Sequence, residues 1–179
     1  MKNKRVYWIT ATAVFIALVI GTQAATASFG QFVTGPLVNL MLIVAVMTCG
    51  LTSGLTVAAI SPVFAKLLGI GPLWMIIPFM MAGNAALVLA WHFIGKRKFA
   101  STHLVRAVAL VSAAACKFAV LYLGIVRLAV PLLLRLPAPQ AAVVTNLFSL
   151  PQLFTASIGG ALAMAVLPLV EKALHRNRE

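Results

Sequence analysis

Between Val6 and Gly95 this chain carries a single charged side chain, Lys66. About 90 helical residues rise roughly 135 Å at 1.5 Å each, close to four crossings of a roughly 30 Å hydrocarbon layer. A run this long and this apolar belongs in lipid. Composition agrees, since 63% of the 179 residues are hydrophobic and 9% are charged, whereas soluble domains run about 45–50% and 25%. The expected fold class is an all-α, polytopic membrane protein.

The basic residues set the expected topology. They cluster at Lys2, Lys4 and Arg5, at Lys96, Arg97, Lys98 and Arg106, and at Lys172, Arg176 and Arg178. If all three clusters are cytoplasmic, an even number of spans separates each pair. Four fit before the second cluster and two after it, which predicts a six-transmembrane-helix bundle with both termini cytoplasmic. Turn residues place the spans at about 6–28, 36–50, 53–69, 73–95, 104–134 and 141–171, in one integral membrane domain. The last two are separated at Arg135-Leu136-Pro137-Ala138-Pro139, where two prolines break a helix. Gly50-Leu51-Thr52-Ser53-Gly54 reads as an uncharged turn. Trp8 and Trp91 fall near inner span ends and Trp74 near an outer one, where amphipathic rings prefer the interface. Ala25-Thr26-Ala27 after a basic start also mimics a signal-peptide cleavage site, but the first apolar run exceeds the about 7–15 residues of such a segment.

Several function classes are disfavoured. The net charge of +12 does not point to nucleic acid, because the basic residues sit at the ends of apolar runs as topology determinants. Acidic side chains occur only at Glu171 and Glu179, so no interior carboxylate is present for acid/base catalysis or a proton relay. There is no phosphate-binding G-x-x-x-x-G-K-[ST] loop, and His92, His103 and His175 are too scattered to converge on a metal. Cys49 and Cys116 read as small packing residues. The chain is expected not to be an enzyme and to need no cofactor or metal.

Two features point to function. Ala13, Ala17, Gly21 and Ala25 recur every four residues and form one shallow row on the first helix, which another helix can approach closely. Packing inside the bundle and docking of another subunit both satisfy that pattern. Lys117 lies about 13 residues into the fifth span, roughly 20 Å from its inner end. An ammonium at that depth without a carboxylate partner costs about 2.5–3.5 kcal/mol on insertion scales. A bound anion would supply the counter-charge and would suit Arg127 and Arg135, which lie toward the outer face. A snorkelling lysine is the plainer alternative, and Lys66, near a helix end, is open to both readings.

Polar residues elsewhere in the spans extend the candidate set. Asn146, Ser149, Gln152 and Thr155 recur every three residues in the sixth span, with Pro151 between them, and form a drifting polar stripe expected to face the bundle or a cavity. Asn84 stands alone among Gly83 and alanines. The segment Ser28 to Pro36, which contains Gln31, reads as an outer loop able to cover a site, and Asn39 follows it.

These elements together resemble the substrate-binding S components of energy-coupling factor (ECF) transporters. The resemblance rests on six short spans, the Ala13-x-x-x-Ala17 row, Thr34-Gly35-Pro36-Leu37-Val38-Asn39, Pro78-Phe79-Met80-Met81-Ala82-Gly83-Asn84, and the run from Pro151-Gln152 to Gly159-Gly160. It implies capture of a water-soluble vitamin or similar micronutrient at the outer face of a prokaryotic plasma membrane, with Lys117, Asn84, Asn146, Gln152, Gln31, Asn39 and Arg127 as candidate contacts. It also implies docking, through the small-residue row, on a transmembrane T subunit driven by two ABC-type ATPases. The metal-specific branch begins Met-His, whereas Lys2 follows Met1 here, and the tryptophan- and acid-lined pocket of a cationic vitamin is missing. An anionic or neutral cargo fits better. A structural subunit of a membrane complex and a stand-alone carrier are the alternatives, the latter weakened by the lack of an intramembrane carboxylate and of an internal repeat.

Overall fold

The computed structural model of the chain describes residues 4–70, 73–97 and 101–176, and Lys2, Lys98, Arg178 and Glu179 lie outside the described residues. Among the described residues the chain is helical without strands: α1 Lys4–Thr26, α2 Gln31–Cys49, α3 Leu51–Leu67, α4 Ile77–Gly95, α5 Thr102–Leu121, α6 Ala138–Leu147 and α7 Leu150–Arg176. Short 3₁₀ turns cover Ala27–Phe29 and Trp74–Ile76, and α5 runs on as a π-helix over Tyr122–Leu134. Five stretches are long and apolar enough to cross a membrane, Arg5–Phe29, Gln31–Cys49, Trp74–Gly95, Thr102–Leu134 and Ala138–Leu174, and the apolar helix Leu51–Leu67 is shorter, at 17 residues.

Two glycines make the first connections possible in almost no length. Gly30 (φ 74, ψ −178) and Gly50 (φ 94, ψ 176) occupy a backbone region essentially restricted to glycine, so the chain reverses within a residue or two. The expected outer loop is therefore mostly helix, with Gln31 to Pro36 forming the start of α2. The expected turn at residues 50–54 shrinks to Gly50. Gly54 sits inside α3, where an added Cβ would lie 2.7 Å from Val46 Cβ and 3.0 Å from Val88 Cγ1, so it lets three helices approach rather than bending the chain.

The expected final span is interrupted. α6 ends at Leu147 and α7 starts at Leu150, because Pro151 has no N–H for the Leu147 carbonyl and fits best in the first turn of a new helix. The break before this span falls where expected, after Leu134, with Arg135 in the left-handed region (φ 44) leading into Pro137.

Side-chain contacts set the ends of the bundle. Trp8 Nε1 donates to Thr52 Oγ1 (2.9 Å), Thr12 Oγ1 donates to Ser53 Oγ (2.8 Å), and Arg106 donates to both Glu171 oxygens (2.7 and 2.8 Å). These pairs bring the starts of α1, α3 and α5 and the last part of α7 to one end, hereafter the basic end. The main core holds Val19, Leu42, Ile43, Val57, Leu87, Trp91 and Leu167, and a second cluster of Ile76, Leu121, Ile125, Val144 and Phe148 fills the opposite end. Trp91 departs from the interfacial expectation. It is 0% exposed and the largest fully buried side chain; position along a helix sets depth, but the direction the ring points is set by packing. Cys116 is exposed rather than packed, and Cys49 is half-buried.

The Arg106–Glu171 pair is asymmetric, with side-chain exposures of 7% and 39%. Removing the carboxylate strands a buried guanidinium, whereas removing the arginine leaves a carboxylate that water can reach. Glu171→Gln should therefore destabilise the bundle by about 1.5–3 kcal/mol and Arg106→Met by less. Melting temperatures of the two purified variants check the order.

Candidate functional site

The end opposite the basic end encloses a cavity of about 370 Å³ lined by residues of α1, α2, α3, α4, α5 and α7 and of the α6–α7 junction. At its base stands Lys117, 5% exposed, whose Nζ donates to Asn39 Oδ1 (2.6 Å) and Asn84 Oδ1 (2.7 Å). Lys117 does not snorkel. Its partners are two neutral side chains from α2 and α4, a solution in neither sequence-based alternative.

Three local causes bring these groups together. Gly83, beside Asn84, lets α4 close on α5, since an added Cβ would lie 2.6 Å from Leu121 Cγ. Gly159 does the same for α7 on α2, where a Cβ would lie 2.6 Å from Asn39 Cβ and 2.7 Å from the Pro36 carbonyl oxygen. The third cause is Pro62. Lacking an N–H, it leaves the Ala58 carbonyl one turn earlier without its helical donor, and Asn84 Nδ2 donates to that oxygen at 3.4 Å. With its amide so engaged, Asn84 presents its oxygen to Lys117.

The same device recurs at the mouth. Pro151 frees the Leu147 carbonyl, and that oxygen accepts from both Gln31 Nε2 (3.1 Å) and Gln152 Nε2 (3.1 Å). Start of α2, end of α6 and start of α7 are tied at one atom. Thr34 Oγ1 donates to the Thr26 carbonyl (2.9 Å) and fastens α1 to α2 beside it. In place of a long covering loop, the rim consists of helix ends and the short Ala27–Gly30 connection, with Phe29 and Phe32 exposed on it.

Of the sequence-derived candidates, Lys117, Asn84, Asn39, Gln31 and Gln152 line this cavity and Asn146 and Arg127 do not. Asn146 is exposed on α6; the helix break at Phe148–Ser149 ends the three-residue register that would have aligned it with Gln152 and Thr155. Arg127 is exposed, and its guanidinium lies 5.5 Å over the Tyr122 ring. The two are five residues apart, one turn of a π-helix. Lys66 is half-buried and Arg135 exposed, both outside the cavity lining.

Sequence reasoning missed Gln23, Ser61 and Phe148, which also line the cavity. Gln23 carried a legible signal: with Thr12, Ile16 and Val19 it forms a stripe on the side of α1 opposite Ala17, Gly21 and Ala25 at 100° per residue. Thr12, Val19 and Gln23 are buried, whereas Ala13, Ala17, Gly21 and Ala25 are all exposed. The small-residue row thus faces away from the bundle, and a shallow groove runs along it between Val14, Leu18 and Thr22.

The polar inventory defines what the cavity can do. Gln23 Oε1, Asn39 Nδ2 and Ser61 Oγ are buried without a hydrogen-bond partner among the described residues, though buried polar groups are nearly always paired. Together with Lys117 Nζ and the side chains of Asn84, Gln152 and Thr155 they give the chamber both hydrogen-bond donors and acceptors among its apolar lining residues. No family model, curated protein or solved structure matches the chain.

Proposed function

We propose that this chain is the substrate-binding subunit of an ECF-type importer, taking up a small, water-soluble, vitamin-like solute, anionic or neutral, for ATP-driven uptake by partner subunits. The observation that carries the reading is the chamber around Lys117, in which a buried lysine Nζ donates to two amide oxygens beside further buried polar side chains of Gln23, Asn39 and Ser61. A polar-lined cavity of this size suits ligand capture better than packing, which would close the space.

On this reading the basic end and both termini are cytoplasmic by the positive-inside rule, and the cavity opens to the outer face. A T subunit with two ABC-type ATPases supplies the energy, and the outward-facing row Ala13, Ala17, Gly21, Ala25 is the docking strip. Helices associate in lipid through close van der Waals contact, which small side chains permit.

Proteoliposomes test the proposal. The chain alone should bind solute without concentrating it, and accumulation should appear only with the T subunit, the ATPases and ATP. Native mass spectrometry of the purified chain should reveal a copurified small molecule to use as the cargo. Concentrative uptake by the chain alone would make it a secondary carrier, and a chain that binds no solute would fit a structural subunit instead.

A further inference from the structure

We infer that the cavity selects a small organic acid of single negative charge, whose carboxylate or equivalent acceptor bridges Lys117 Nζ and Asn39 Nδ2 and which carries a second polar group, such as an amide or hydroxyl, for the Gln23 amide. The inference names the cargo class of the site and rests on the reading that this chamber holds the transported solute.

Charge balance comes first. An ammonium has three N–H donors, and two of those of Lys117 are taken by Asn39 and Asn84. Neither partner is charged. Glu171 is bound to Arg106 at the basic end, and no other acidic side chain lies among the described residues. With Lys117 protonated, as binding of an anion favours, a monoanion neutralises the chamber, a dianion leaves one buried charge in surplus, and a cation is repelled.

Hydrogen-bond polarity comes second. Asn39 gives its oxygen to Lys117, so its unpartnered group is the donor Nδ2. Nδ2 and the third ammonium proton both require an acceptor, and one carboxylate has oxygens for both. Gln23 Oε1 is also unpartnered, and since no partner fixes the orientation of this amide it can turn its oxygen or its nitrogen to the ligand. Ser61 Oγ, also unpartnered, can serve either sense.

Shape comes third. The rest of the wall mixes Thr34, Thr155, Gln31 and Gln152 with apolar Val38, Pro62, Ile70 and Met80, and Phe148 is its one aromatic ring among the described residues. The cavity suits an aliphatic or single-ring body rather than a stacked polycyclic one.

The test is a thermal-shift screen of the purified full chain in detergent against water-soluble metabolites sorted by charge at pH 7. The best stabiliser is then titrated beside its primary carboxamide. Monoanions bearing an amide or hydroxyl should be the stabilisers, and the carboxamide should bind about ten- to a hundredfold more weakly. Lys117→Met should weaken binding of the acid by a similar factor and leave the carboxamide nearly unchanged. Asn39→Asp, which installs a counter-charge inside the protein, should lose the acid while melting at or above the parent temperature, so that lost binding is not misfolding. Gln23→Leu should weaken binding about tenfold. Stabilisation by neutral or cationic compounds as strong as by monoanions, an absence of any monoanionic stabiliser, or unchanged affinity for the acid in Lys117→Met would overturn the inference. A neutral cargo taken up with ATP and partner subunits would do so while leaving the proposed function standing. Monoanion binding with uptake independent of ATP would do the reverse.

Discussion

On the proposed function, Ala17→Trp should abolish partner-driven uptake while leaving both cargo affinity and melting temperature of the isolated chain unchanged. Ala17 is exposed on the side of α1 turned away from the bundle, so an indole there meets no atom of the chain's own core. It would instead hold any docking helix several ångströms away, and dispersion contacts fall off steeply with separation. Ala13→Trp, one turn nearer the basic end, should behave alike. Uptake assays in the reconstituted transporter and ligand titration of the isolated variant separate the two properties. Normal uptake in both variants would remove the docking strip from the proposal. Loss of binding together with uptake would instead mean that the row supports the bundle, at odds with its exposure.

Gly159→Ala should damage stability and cargo binding at once. The new methyl group would lie 2.6 Å from Asn39 Cβ, 2.7 Å from the Pro36 carbonyl oxygen and 3.2 Å from the Leu40 nitrogen. Two of those atoms are backbone, so α2 must move away from α7. Overpacking of this kind typically costs about 1–3 kcal/mol. Because Asn39 rides on the displaced segment, Lys117 loses a well-placed partner and cargo affinity should drop about tenfold, the equivalent of about 1.4 kcal/mol. Gly21→Ala is the matched control, since a Cβ at Gly21 has nothing within 4 Å and alanine favours a helix. Its melting temperature should hold or rise. Equal behaviour of the two variants in melting and titration would show that the α2–α7 contact does not hold the site.

Much of the site was legible as a set of residues and little of it as an arrangement. Lys117 stood out by depth and lack of a carboxylate, and Asn84 by standing alone in an apolar helix. Both properties are local. That Asn39, 78 residues away from Lys117, supplies one of the two oxygens depends on which helices neighbour one another and how each is rotated. The proline-freed carbonyls lie between these cases. Pro62 after Ala58 and Pro151 after Leu147 are four-residue offsets readable in the chain, but which amides come to those oxygens is decided across helices. Asn146 shows the opposite error, in which a periodicity counted through an assumed continuous helix lost its meaning at the break.

Residue chemistry along the chain was enough to read an all-helical protein of long apolar stretches, where most of those stretches begin and end, and their interruption by the prolines after Arg135. Hydropathy, helix-breaking residues and charge act within a few turns, so they can be read without a partner. Packing between helices set which face each one turns inward. It buried Trp91, turned the small-residue row of α1 outward, and assembled the chamber around Lys117. Those outcomes follow from close contacts such as Gly83 on Leu121 and Gly159 on Asn39, and in lipid it is contact packing of this kind, rather than any local preference, that selects how helices meet.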